Sequence, residues 1–157
     1  MRFLLVVAGF VVLIASDNKY DKAFDFEAFR SYYNLTDSIT ERRIQNKAVL
    51  IEFWATWCQP CRVKNFELNE LYAKYNDKIE LIGVALDTDS LRWRKAIRND
   101  QLTWPIQVRD TAKWNSSFLK SAGISYLPNN VLVDINGKVL GRELSGAELQ
   151  KLLNQQD

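Results

Sequence analysis

Residues 48–55 read AVLIEFWA, an apolar run of strand length whose single charge is Glu52. Such a run suits a central strand covered on both faces. The next residues read TWCQPCR, and behind them Val63, Phe66, Leu68, Leu71, Tyr72 and Tyr75 recur at helical spacing. The segment therefore predicts strand, tight turn, helix. It puts a Cys-x-x-Cys pair, Cys58 and Cys61, in the turn and at the start of the helix.

The flanking sequence extends this pattern. Ala23 to Phe29 (AFDFEAF) alternates apolar and polar side chains and is expected to form an edge strand. Asn34 and Asp37 are turn candidates, and SITERRIQNK reads as a short strand or a helical turn. Ile79 to Leu86 is a second buried-type strand, followed by an amphipathic helix over Leu91 to Asn99. Trp104 to Val108 is a short extended piece. A helix over Asp110 to Ala122 is expected to turn Trp114, Phe118 and Leu119 inward and to stop at Gly123. Val131 to Ile135 and Lys138 to Gly141 form a hairpin about Asn136-Gly137. Ser145 and Glu148 form a capping box for a last helix, Gly146 to Leu153. Strands alternate with helices and a hairpin and helix close the chain, so the class is α/β, a mixed sheet with helices on both faces.

Composition narrows the chemistry. The chain has 157 residues, enough for one domain with a substantial core. It contains no histidine, which removes His-ligated metals and histidine acid–base schemes, and two cysteines cannot form a four-thiolate zinc site. The net charge of +2 gives no case for a nucleic-acid partner. Arg92, Arg94, Lys95 and Arg98 form the only dense basic run and read as the wet face of a helix. Nothing suggests flavin, nicotinamide or another cofactor.

Residues 1–16, MRFLLVVAGFVVLIAS, combine Arg2 with a thirteen-residue apolar run from Phe3 to Ala15. A membrane span needs about 20 apolar residues, so the expectation is a secretory signal peptide. The alternatives are an uncleaved N-terminal membrane anchor and a buried strand. Residues 17–157 are then one domain. Either export reading puts the cysteines where a disulfide persists.

The turn carries the chemistry. The first turn of a helix leaves N–H groups unpaired, and its dipole favours negative charge. Cys58 is expected to be exposed, with a lowered pKa, and to be the attacking thiolate. Cys61 is expected to be more buried and to resolve the mixed disulfide. Pro60 fits the first helical turn, and Gln59 sits between the sulfurs and tunes them. Glu52, costly to bury as a carboxylate, is expected to have a raised pKa and to accept the proton of Cys61; the alternative is a solvated edge position. Trp54 reads as core, and Trp57 as a cover over the cysteines that meets substrates. Pro128 precedes a buried strand, where a cis bond is plausible.

Phe53-Trp54-Ala55-Thr56-Trp57-Cys58-Gln59-Pro60-Cys61-Arg62 resembles the active-site stretch of the thioredoxin superfamily, in particular of exported TlpA-type proteins, usually FWATWCGPCR. The resemblance runs from about Lys22 to Leu153. Lys22 to Phe26 is similar to the family's opening APDF segment, and Tyr126 to Val131 to its cis-proline loop. The resemblance implies a thioredoxin fold with an N-terminal β extension. It also implies that Pro128 is the cis proline and that the backbone at Leu127 pairs with a substrate segment beside Trp57, Gln59 and Pro60. Glu52 falls where thioredoxins carry a buried aspartate. Leu81 to Trp104 resembles exported Bacteroidetes-type proteins, which suggests a periplasmic site. Four residues depart from the pattern: Gln59 for glycine, Phe66 for a kinking proline, Asn129 for threonine and Phe24 for proline.

The function so implied is a periplasmic disulfide reductase acting on protein thiols and disulfides, for example the haem-binding thiols of apocytochromes c. A membrane thiol-transfer protein would be its electron donor. A periplasmic oxidase or isomerase uses the same atoms at another potential. A binding domain with spectator cysteines is the alternative of another class, and a peroxidase fits the close pair less well. No heptads or sticky strand are evident, so a monomer is expected.

Overall fold

The computed structural model describes Leu5–Val7, Phe10–Val12, residues 24–134 and residues 136–155. Strands β1 (Leu5–Val7) and β2 (Phe10–Val12) form a separate antiparallel pair. The remainder of the leader expected at residues 1–16 lies outside the described residues.

The main sheet is built around β3 (Ala48–Trp54), every residue of which is buried. It pairs in parallel with β4 (Ile79–Ala85), which pairs in parallel with β5 (Ile106–Arg109). On its other side it pairs antiparallel with β6 (Asn129–Val133), followed by β7 (Val139–Arg142). The order β5-β4-β3-β6-β7 is the mixed sheet expected from the pattern of elements. Successive residues of β3 point to opposite faces. Val49, Ile51 and Phe53 enter one apolar cluster with Phe29, Phe118 and Leu119, and Leu50 enters the other with Leu68, Leu71 and Leu149. Both faces are therefore covered, which is why the run carries no polar alternation.

The expected edge strand over Ala23 to Phe29 is instead the start of helix α1 (Phe26–Tyr32). The Asp25 side chain accepts from the Ala28 N–H at 2.9 Å and caps it. Phe26 and Phe29 also stand at helical spacing, and that period prevails because Phe29 packs against Phe24 and Phe118. The stretch supplies no β extension. Asp37 caps α2 (Ser38–Ile44), accepting from the Ile39 and Thr40 N–H groups.

Helix α3 (Gln59–Tyr75) follows the cysteine turn, and α4 (Ser90–Asn99) follows β4. The single helix expected over Asp110 to Ala122 is divided into a 3₁₀ turn, Lys113–Asn115, and α5 (Ser117–Ser121). Lys113 has φ 51°, and Ser116 starts the new helix by accepting from the Leu119 N–H. Phe118 and Leu119 are buried as expected, but Trp114 is exposed. Gly123 has φ 71° just beyond α5. The last helix, α6 (Gly146–Asn154), has the expected capping box of Ser145 and Glu148. Among the described residues, no helix is long and apolar enough to cross a membrane.

Candidate active site

Cys58 is the N-cap residue of α3, and its Sγ accepts from the Cys61 N–H at 3.2 Å. The two cysteines are joined in a disulfide. Cys61 is fully buried. Cys58 is 6% exposed, so the expected order of burial holds but the outer sulfur is more covered than expected. Part of the cover is the apolar cluster that contains both cysteines and against which Leu127 packs. The N-terminal position gives a Cys58 thiolate the helix dipole and unpaired N–H groups as electrostatic support.

Two polar anchors hold the turn. Asp87, just beyond β4, accepts from the Thr56 N–H at 2.9 Å and from the Thr56 hydroxyl at 2.7 Å. Asp100, the C-cap residue of α4, accepts two guanidinium N–H bonds from Arg62 and one from the Asn65 side-chain amide. Both carboxylates are buried and receive donors on both oxygens, the arrangement that makes burial of a charge tolerable. The strand-to-helix turn is thus fixed from two sides of its short length. Sequence reading missed these anchors because each partner lies more than thirty positions away.

Glu52 is fully buried, which excludes the solvated edge position. Neither carboxylate oxygen has a hydrogen-bond partner, and the Lys64 ammonium stands 3.5 Å from one of them. Burial pushes its pKa up to about 7, against the opposing pull of Lys64 and Asn130. Its register partners on the neighbouring strands are Gly83 and Asn130. Lys64 escaped the sequence reading. The available signal was its spacing: it follows Cys61 by three residues on α3, one helical turn further.

The Leu127–Pro128 bond is cis. Phe53 pairs with Asn129, so Pro128 arrives at the end of β3 from which the cysteine turn departs. Pro60 and Pro128 line one groove of about 460 Å³ together with Val63, Lys64 and Tyr126. Trp57 is 55% exposed, and its indole N–H donates to the Leu86 carbonyl at 3.3 Å. Trp54 is core, as expected. Gln59 and Pro60 are exposed at the rim. Val63 and Phe66, expected on the packed side of α3, are exposed instead. The buried stripe runs through Cys61, Asn65, Leu68 and Tyr72. Among the described residues, no cluster of His, Cys, Asp and Glu could hold a metal ion.

A cysteine pair capping a helix after the central strand of a mixed sheet, with a cis-proline loop beside it, defines a thioredoxin-like redox protein. The profile of the thioredoxin-like family matches residues 46–139, and the chain belongs to that family. It is 27% identical over 97% of its length to the thiol-disulfide oxidoreductase ResA of Bacillus cereus, of which the match covers 89%. It is 30% identical to the protein of the same name from Oceanobacillus iheyensis, over 87% of this chain and 74% of the relative. A thiol-disulfide oxidoreductase from Bacteroides fragilis superposes with a TM-score of 0.67 at 36% identity, over 73% of this chain and 85% of that one. The chain is a TlpA-like member of the thioredoxin superfamily and a thiol–disulfide oxidoreductase.

Proposed function

We propose that the chain is an exported disulfide reductase in which Cys58 attacks and Cys61 resolves. The observation that carries this reading is the asymmetry of the pair at the helix start: Cys58 caps α3 and keeps 6% of its surface exposed, whereas Cys61 is fully buried. In the reduced enzyme the Cys58 thiolate attacks a substrate disulfide. A mixed disulfide forms and one substrate thiolate leaves. Cys61 then gives its proton to the Glu52 carboxylate and attacks Cys58 Sγ, which releases the second substrate thiolate and leaves the Cys58–Cys61 disulfide. Two electrons have passed to the substrate. An external dithiol, in this reading a membrane thiol-transfer protein, must return them.

Glu52 suits the acceptor role because an acid with a pKa near 7 both takes and returns a proton at neutral pH. In this reading the substrate meets Pro60 and Pro128, which line one groove, and the Leu127 backbone, Trp57 and Gln59 are its further contacts. The apolar leader at residues 1–16, as a signal or an inner-membrane anchor, would deliver the domain at residues 17–157 to the periplasm. Exposed thiols of apocytochromes c are one substrate class that needs such a reductase there.

The test is the reduction potential of the Cys58–Cys61 couple in glutathione or dithiothreitol buffers. A value near that of thioredoxin, about −270 mV, supports the reductase; a value near about −120 mV makes it an oxidant. Cys61→Ser is expected to accumulate mixed disulfides with partner proteins, whereas Cys58→Ser is not. If neither variant traps anything, the cysteines are spectators.

A further inference from the structure

The sequence singles out one feature that this chemistry does not use, the basic run of α4. The helix reads SLRWRKAIRN, with four cations and no acid. Its residues Arg92, Lys95 and Asn99 share a face at helical spacing and line a cleft of about 280 Å³, whose opposite side is Trp57 and Arg62. Trp57 immediately precedes Cys58, so the cleft is lined by the neighbour of the cysteine that attacks in this reading.

Within this cleft Arg62 is paired with Asp100 and Arg92 meets Asp89 at its exposed edge, which leaves Lys95 as the cation in excess. Asp87 is turned inward and held by Thr56. Asp100 is turned inward and occupied by Arg62 and Asn65. Asp89 approaches Arg92 at 3.6 Å, but Arg92 remains 81% exposed at its side chain. Lys95 is exposed and has no ion-pair partner among the described residues. An indole edge with two exposed cations beside it fits a carboxylate-bearing side chain on an extended chain. The cleft is too small for a nucleic-acid groove. Its position beside Cys58 ties its occupant to the polypeptide undergoing exchange.

We propose that this cleft docks an acidic segment of the substrate polypeptide next to the cysteine being exchanged. Charge complementarity at such a rim acts chiefly on encounter and register, and salt screens it. The inference rests on the reading of Cys58 as the attacking group. The test uses the reduced full chain and three peptides that share one disulfide but carry flanking Asp, Asn or Lys residues. At low ionic strength the second-order rate constant for reduction of the Asp peptide by the reduced chain is expected to exceed that for the Asn peptide by about five- to tenfold, and the advantage is expected to shrink in about 0.5 M salt.

The double variant Arg92→Glu and Lys95→Glu is expected to invert the order of the Asp and Lys peptides. Lys95→Gln alone is expected to lower the Asp/Asn ratio. Reading ratios removes any general loss of activity. Equal rates for the Asp and Asn peptides, or a ratio that survives both variants, would overturn the docking site while leaving the exchange chemistry intact. Failure to exchange with any peptide removes the reading of Cys58 and the docking site with it. Saturable binding of anionic vesicles through Arg92 and Lys95, with no effect on the peptide ratios, would assign the cations to a membrane surface instead.

Discussion

Replacing Glu52 by glutamine removes a titrating group from the centre of the sheet while keeping its size and polarity. In the folded chain burial lifts the Glu52 carboxyl from 4.5 to about 7. Below pH 4.5 the group is neutral whether the chain is folded or not, and its burial carries no ionisation penalty. As pH rises from 4.5 towards 7 the unfolded chain releases the proton and the folded chain holds it, so stability is lost across that window. Above 7 both states are ionised and the loss is complete. A shift of this size corresponds to about 3 kcal/mol. Glutamine has no such titration. Its stability relative to the wild type should therefore climb by about 3 kcal/mol between pH 4.5 and 8. The Lys64 attraction acts on ionised Glu52 and is already contained in the value of about 7, so it adds nothing further to this difference. Urea unfolding of the two oxidised proteins at a series of pH values reads the difference. With a denaturant slope of about 2 kcal/mol/M the midpoints should diverge by about 1.5 M. A difference that stays flat would mean that Glu52 titrates like an exposed glutamate. A difference that falls with pH would mean that Lys64 outweighs burial. Either result refutes the reasoning.

Lys64→Met removes the cation that pulls Glu52 down, so the Glu52 titration should move above 7 and Lys64→Arg should restore it. Carboxyl NMR of labelled Glu52 measures both, and an unmoved midpoint would show that the ammonium is not felt. Gly83→Ala should destabilise the chain by about 1–3 kcal/mol, a loss visible in thermal unfolding. The added Cβ would stand 2.9 Å from the Trp104 indole nitrogen and 2.4 Å from Gln107 Oε1. The glutamine end can move, but the buried ring cannot; unchanged stability would show that the sheet yields there.

The buried strands and the cysteine turn were legible because a doubly covered strand leaves a continuous apolar run, as AVLIEFWA and IELIGVAL do. The first helix was not. Phe24 and Phe26 satisfy a period of two, Phe26 and Phe29 satisfy a helical one, and only the aromatic cluster around Phe118 decides between them. Periodicity marked α3 as a helix but placed Val63 and Phe66 on its packed side. A buried stripe can take a polar residue that finds a distant partner: the Asn65 side-chain N–H donates to Asp100, although its Oδ1 has no partner. The break in the helix expected over 110–122 turns on Ser116, whose capping role does not differ in sequence from that of any other serine. Within the site, Glu52 was legible as an anomaly in an apolar run. The anchors Asp87 and Asp100 were not, because a surface aspartate and a buried one read alike until the fold supplies Thr56 and Arg62.

What the site does with its electrons depends on quantities of another kind. Glu52, Cys58, Cys61 and Lys64 all belong to one strand–turn–helix unit, so the chemistry proposed for them draws on one short stretch. The direction of exchange is set by the relative stability of the dithiol and disulfide forms. The span between about −270 and −120 mV is only about 7 kcal/mol for two electrons. In the proposed mechanism the features that divide that span are the α3 dipole on a Cys58 thiolate, worth about 0.3–2 kcal/mol, the charge of Glu52, the Lys64 ammonium and the residue at Gln59. Glu52 matters most among them because its own ionisation falls near neutral pH. In the proposed mechanism an ionised Glu52 opposes a thiolate at the cysteine pair and favours proton removal from Cys61, and a protonated one does neither. The potential of this couple should therefore bend with pH near 7, where the Glu52 carboxyl gives up its proton, in addition to the slope from the thiols themselves.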